Sequence, residues 1–228
     1  MLRHVTGLAV LAIALGCDVP SDSSSAPTRP NTASQSGERA IGSKEKAFWV
    51  WFTENELRLR KAAEADAQAV VEGDPMNAEL EKVHPGLLFE LSQQTIDGKQ
   101  EIIISADGNR EVFPAVKALV QAAPPLEHWH VTAFRQPWSE LDFELAMGDV
   151  VLSPQTVFYR SAPDGKKLGI TIYLPGDLSE QDPAKLASFI LLDHILGEYD
   201  VETRLGSIEW AVLPQDTGEL TPLAELRD

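Results

Sequence analysis

Short stretches in which hydrophobic and polar residues alternate are frequent in the chain from Gly86 onwards. The stretch "LGITIYLP" at 168–175 is one example, and its alternation predicts a β-strand with one face on a core. The Asp-Gly pairs at 97–98 and 164–165 each lie between two such stretches, and this pair between extended segments is a strong hairpin signal. We therefore predict one β-hairpin in each half of this region.

Each predicted hairpin is followed by apolar residues at helical spacing and then by another strand. The helical stretches are "REVFPAVKALVQAAPP" at 110–125 and "DPAKLASFILLDHILG" at 182–197, and a further helix is predicted over 44–72. The predicted fold class is therefore α+β, with a largely antiparallel sheet, helices on one face and an N-terminal helix before it. The repeated order of elements suggests a duplicated ββαβ unit.

The beginning of the chain predicts export. Residues 1–16 join a short basic start to an apolar run that is too short to span a bilayer, which is typical of a secretory signal peptide. The chain has one cysteine, Cys17, and "ALGC" at 14–17 resembles the lipobox of bacterial lipoproteins, whose cysteine is lipidated and becomes the mature N-terminus. The alternative is an ordinary signal peptide followed by a chance cysteine. Residues 17–42 predict a flexible tether, and residues 43–228 a single α+β domain.

The charge balance limits the partners. Asp and Glu number 35 against 19 Lys and Arg, which gives a net charge of −16 at pH 7. Nucleic acids and anionic lipid surfaces recruit basic patches, so neither is a predicted electrostatic partner. Membrane contact is instead predicted through a lipid on Cys17. A basic protein partner fits the acidic balance, and solubility alone would also explain it.

An acidic row, Glu198, Asp200 and Glu202, follows the glycine that is predicted to end the last helix. Together with His194, these carboxylates are candidates for an acid–base pair or a divalent-cation site. The alternative is structural, because polar residues just beyond a helix C-terminus line a surface turn and bond to its amides or to Arg204. We favour the structural interpretation and keep His194, Glu198 and Asp200 as the catalytic candidates.

Two other short motifs are candidates for binding. In "HWH", His128 and His130 lie two residues apart on one face of a predicted strand, and this spacing suits the binding of one metal ion. The alternative is an exposed strand face on either side of a buried tryptophan. In "AFRQPW", Arg135 and Trp138 are residue types that anchor interfaces, although they can also cap a strand end.

Sequence signatures of common enzyme classes are missing. The chain has no G-x-S-x-G elbow, H-E-x-x-H motif, Gly-rich phosphate loop or paired cysteines, and no cofactor is predicted. The leading functional prediction is a lipid-anchored protein of the cell envelope that acts as a non-catalytic binding or accessory domain. The alternative is a hydrolase or metal-dependent enzyme that uses the acidic and histidine residues between 194 and 202.

Two long stretches carry a resemblance to known sequences. They are "IIISADGNREVFPAVKALVQAAPPLEHWHVTAFRQP" at 102–137 and "FILLDHILGEYDVET" at 189–203. The portion from about Trp51 to Leu226 resembles a group of uncharacterised bacterial proteins that carry a domain of unknown function. The resemblance implies one coherent folded domain, and it assigns no activity or site residue.

Overall fold

The computed structural model describes residues 42–65 and 75–227. These residues belong to one compact unit. The predicted signal peptide, Cys17, almost all of the predicted tether and the end of the predicted first helix lie outside the described residues. Among the helices of residues 42–65 and 75–227, none has the length and apolar character that a membrane span requires.

The first lobe, residues 43–65 and 75–134, is a three-stranded sheet with helices before and within it. Its strands lie in the order β1-β2-β3. The predicted hairpin joins β1 to β2 through Asp97 and Gly98, whose φ values of 51° and 75° suit a tight hairpin turn. β3 pairs parallel to β2, because the chain crosses back through a helix. The elements are α1 (Ser43–Ala65), α2 (Pro75–Val83), β1 (Leu88–Ile96), β2 (Lys99–Ser105), α3 (Phe113–Gln121) and β3 (Trp129–Ala133).

Aromatic residues of α1 form much of the first lobe's core. Phe48, Trp49 and Phe52 are buried, whereas Trp51 is half-buried. The Trp49 Nε1–H donates a hydrogen bond of 2.7 Å to the carbonyl of Leu119 in α3, so the buried indole keeps a polar partner. α1 is thereby fixed to the helix that lies between β2 and β3.

The second lobe, residues 141–226, repeats the same order of strands and adds to it. In its four-stranded sheet β8-β7-β6-β9, β6 and β7 form the predicted antiparallel hairpin and β8 pairs parallel to β7. A separate two-stranded sheet pairs β4 with β5. The elements are β4 (Leu145–Met147), β5 (Val150–Leu152), β6 (Phe158–Asp164), β7 (Lys167–Leu174), a 3-10 helix (Gly176–Glu180), α4 (Asp182–Leu196), α5 (Glu198–Arg204), β8 (Leu205–Val212), β9 (Thr221–Pro222) and a 3-10 helix (Leu223–Glu225).

The predicted alternation in β7 is confirmed. Ile170, Ile172 and Leu174 are at most 2% exposed and pack in the same hydrophobic cluster as Leu191 and Ile195 of α4. The buried face of the strand therefore meets the apolar side of the helix, as the two periodicities require.

The predicted α+β fold with mainly antiparallel sheets is confirmed. The strands of residues 42–65 and 75–227 form three sheets, not the one sheet that the sequence predicted, because each lobe closes its own hydrophobic cluster. Strand order and direction agree between β1-β2-β3 and β6-β7-β8. An origin by duplication stays a prediction.

Candidate functional site

The acidic row lies on a helix and not in a turn. Gly197 ends α4 with φ 82° and ψ 149°, and α5 begins at the next residue. A side chain at this position would meet Pro137 Cδ at 2.9 Å and the Arg135 carbonyl oxygen at 3.0 Å, so the sharp redirection requires glycine. Glu198 and Asp200 therefore occupy the first turn of a helix, where the helix dipole favours negative charge. The predicted helix end at Gly197 is confirmed, whereas the prediction that the acidic row lies in a surface turn was wrong, because a second helix begins at Glu198.

Glu198 is fully buried and bonds to the first lobe. Its Oε2 accepts hydrogen bonds from Ser105 Oγ at 2.8 Å and from the Arg135 amide at 3.2 Å. Its Oε1 accepts from the amides of Ala106 at 3.0 Å and Gly108 at 3.2 Å. Four donors around one carboxylate satisfy it without solvent. Glu198 thus links the second lobe to the turn that follows β2.

Arg135 is the cation of this junction. Its Nη1 lies 2.6 Å from Glu90 and its Nη2 lies 3.0 Å from Asp107, both in the first lobe. Two carboxylates of the second lobe lie near the Arg135 Nε: Asp193 Oδ2 at 3.3 Å and Glu198 Oε2 at 4.0 Å. The Nε–H makes no hydrogen bond with either of them. One guanidinium therefore faces four carboxylates at the boundary between the lobes.

Burial at the boundary between the lobes perturbs the pKa of Asp193 most, and neighbouring carboxylates add to the effect. Burial raises its pKa from the ordinary 3.8 to about 7; Arg135 opposes this rise, and the neighbouring carboxylates, first Glu198 and then Glu202, add to it. Burial also disfavours the charged form of Arg135, but Glu90 and then Asp193 outweigh burial and raise the arginine pKa. Asp193 therefore titrates near neutral pH while Arg135 stays charged.

His194 and Asp200 have other partners. His194 Nδ1 lies 2.7 Å from the carbonyl of Ile190, so Nδ1 carries a proton, and burial lowers the pKa of the imidazole. Its ring packs edge-on against Trp138, with the ring centres 4.0 Å apart. Asp200 pairs at 3.1 Å with Arg204, the partner that the structural interpretation predicted. The three catalytic candidates are thus engaged by different groups.

The two histidines of "HWH" flank a buried tryptophan. Trp129 is 3% exposed, and His130 lies on β3 while His128 precedes it. The Nε2 of His128 lies 3.9 Å from Glu127 Oε2. Within residues 42–65 and 75–227, no three side chains of His, Cys, Asp or Glu are grouped to hold a metal ion.

The binding candidates Arg135 and Trp138 differ in exposure. The Arg135 side chain is 16% exposed and is engaged in the junction, so it is a structural cation and not a free anchor. Trp138 is 38% exposed, and its amide donates to the His194 carbonyl at 2.8 Å. Trp138 therefore presents part of its ring at the edge of the junction.

A cleft opens where the two lobes meet. The cleft is broadly open to solvent and has a volume of about 450 Å³. Residues of α3, of the segment after β3 and of the α4–α5 turn line it: Lys117, Phe134, Arg135, Gln136, Pro137, Leu196, Gly197, Tyr199 and Asp200. Sequence reasoning missed Lys117 and Tyr199, because the contact between them joins positions 82 apart and no local spacing signals it.

No family model, curated protein or solved structure matches the chain. The resemblance to uncharacterised bacterial proteins therefore stays a prediction.

Proposed function

We propose that this chain is a lipid-anchored protein of the bacterial cell envelope that binds a basic protein partner and catalyses no reaction. The anchor is proposed from "ALGC" at 14–17 and from the Ser- and Pro-rich segment that follows it. The observation that carries the non-catalytic part is the full engagement of Glu198 by four donors within the fold.

A catalytic carboxylate needs an oxygen that reaches the substrate. Glu198 is 0% exposed, and each of its oxygens already accepts two hydrogen bonds. Asp200, the next carboxylate along the row, is paired with Arg204. These contacts support a structural role for Glu198 and Asp200, the two carboxylates that the sequence singled out as catalytic candidates.

The position of the negative charge supports a basic partner. The first 42 residues hold three acidic and three basic residues, so the whole excess of acids falls in residues 43–228. Glu140, Asp142, Glu144 and Asp149 are exposed, and none of them has an ion pair within the described part of the chain. Residues 136–159 contain no Lys or Arg. Such a surface attracts cations over several ångströms.

The anchor is tested with Cys17→Ser in the full-length chain. Cells that make the variant should release the protein from the membrane fraction and should not incorporate radiolabelled palmitate into it. Ser23→Ala, which leaves the lipobox intact, is the control and should behave as the wild type. Equal membrane partitioning and equal labelling of Cys17→Ser and wild type would contradict the lipid anchor.

The partner is tested by cross-linking in intact envelopes. The variant Glu140→Gln/Asp142→Asn should lose the cross-linked protein, whereas Glu54→Gln/Glu111→Gln removes the same charge elsewhere on the surface and should keep it. The captured protein should be basic, and its binding should weaken steeply with salt. Retention by the first variant, or capture that salt does not affect, would contradict an electrostatic partner at this surface.

A further inference from the structure

The cleft between the lobes has one wall that is aromatic and partly exposed. The Tyr199 ring is stacked on Phe113, with their centres 5.6 Å apart, and tilts against Phe134 at 5.2 Å. Phe113 and Phe134 are buried, whereas Tyr199 is 38% exposed. Two buried rings therefore fix the orientation of a third that faces the cleft, which lowers the entropic cost of using that ring for recognition.

The backbone at this wall is strained. Phe134 has φ 62°, the left-handed region, which bulky residues rarely adopt. Its amide nevertheless donates a hydrogen bond of 2.8 Å to Ile104, so the surrounding strands hold the conformation. Strain of this kind collects at ligand sites, where the fold imposes a side-chain position that local preference would not give.

The ammonium group of Lys117 already lies over the exposed Tyr199 ring. Lys117 Nζ lies 4.1 Å from the centre of the Tyr199 ring and 3.1 Å from its hydroxyl oxygen. Lys117 is exposed on α3 and has no ion pair within residues 42–65 and 75–227. An exposed cation–π contact shifts an equilibrium by a factor of about two to five, so another cation can displace this ammonium.

We propose that the Tyr199 ring receives a lysine or arginine side chain of the basic partner, and that Lys117 occupies this position in the unbound protein. The inference rests on the proposed function, because it assumes a basic protein partner. Asp200, which is paired with Arg204, lines the same cleft. The displaced Lys117 moves into solvent at little cost, since its stem lies on the protein surface.

The test uses the full-length chain and the peptide acetyl-(Gly-Lys)₆-amide, with acetyl-(Gly-Gln)₆-amide as the uncharged control. In the Lys117→Met background, where no internal cation competes for the ring, Tyr199→Leu should weaken binding of the lysine peptide about two- to fivefold, whereas Tyr199→Phe keeps the ring and should bind within about twofold of that background. Lys117→Met vacates the ring and should tighten binding about three- to fivefold. Lys166→Met removes the same charge from an exposed hairpin turn and should change affinity less than about twofold.

A second measurement reports on Lys117 directly. In the free protein the ring current of Tyr199 should shift the ε-methylene resonances of Lys117 upfield, and saturating lysine peptide should return them to ordinary values. Equal effects of Lys117→Met and Lys166→Met, no loss of affinity when Tyr199→Leu is added to Lys117→Met, or an unmoved Lys117 resonance at saturation would overturn the inference. If the lysine peptide binds no better than the glutamine peptide, the basic-partner proposal itself fails; binding that is independent of Tyr199 defeats this inference alone.

Discussion

Replacing Glu198 with glutamine is the sharpest test of the junction between the lobes. The amide has the shape of the carboxylate but carries one acceptor and one donor group. If its oxygen takes the place of Oε1, the bonds from Ala106 and Gly108 are kept. Its NH₂ group then faces the amide of Arg135, and two donors cannot bond to each other. The fourth partner, Ser105, already accepts a hydrogen bond from Asp107 and is a poor substitute acceptor.

The expected loss of stability follows from these four bonds. One buried amide is left without a partner, which costs about 1–3 kcal/mol, and each remaining bond changes from charge-assisted to neutral, at a cost of about 1 kcal/mol. Relief from burying a charge beside Asp193 offsets part of the sum. We expect Glu198→Gln to lower the free energy of unfolding by about 3 kcal/mol.

The measurement is urea unfolding at pH 7, followed by tryptophan fluorescence and circular dichroism. The control is Asp200→Asn, two residues further along the same helix, where the carboxylate is 33% exposed and its partner Arg204 is 74% exposed. An ion pair of this exposure contributes about 0.5 kcal/mol, so the control should change stability by less than about 1 kcal/mol. Equal midpoints for Glu198→Gln and wild type, at equal slopes, would refute the assignment of Glu198 as the link between the lobes.

Two further predictions concern the same region. Because the pKa of Asp193 is raised in the folded state, the stability that protonation contributes is fully present below about pH 4 and is lost as the pH rises through about 7. Above pH 7, Asp193→Asn should therefore have a free energy of unfolding about 2–4 kcal/mol higher than the wild type, and this difference should vanish towards pH 4. A difference in unfolding free energy that does not change with pH would contradict this prediction. Gly197→Ala should destabilise the protein by about 2–4 kcal/mol, because φ is 82° and the new methyl group would meet Pro137. Gly148→Ala, with φ 60° and open space around it, should cost only about 1 kcal/mol in thermal or urea unfolding, and equal losses would argue against the crowding.

Local patterns predicted most of the secondary structure correctly. The Asp-Gly turns and the alternation in β7 depend on neighbouring residues, so the sequence displays them directly. The division into three sheets depends on which strands meet across the chain, and single-sequence periodicity does not contain that information. The predicted single sheet was wrong for this reason.

The acidic row shows where the site prediction stopped. Gly197 ends one helix, as predicted, but the next helix begins at the following residue, where the sequence predicted a turn. The pairing of Asp200 with Arg204 was predictable because it spans four residues. The partners of Glu198 lie 63 to 93 residues away, so nothing in its surroundings in sequence indicates that it is buried.

The distance in sequence between Ser105 and Glu198 also affects the order of folding. The hairpin of the first lobe can form as soon as its residues are present, since its contacts are local. In the turn after β2, by contrast, the amides of Ala106 and Gly108 and the Ser105 hydroxyl stay exposed to water until α5 packs against them. Glu198, their partner in α5, follows Ser105 by 93 residues. Closing a loop of this length carries a large entropic cost. The hydrogen bonds that offset this cost form together, when Glu198 docks. The second lobe therefore completes the first, and a chain halted before residue 198 would hold a formed hairpin with an unfinished edge.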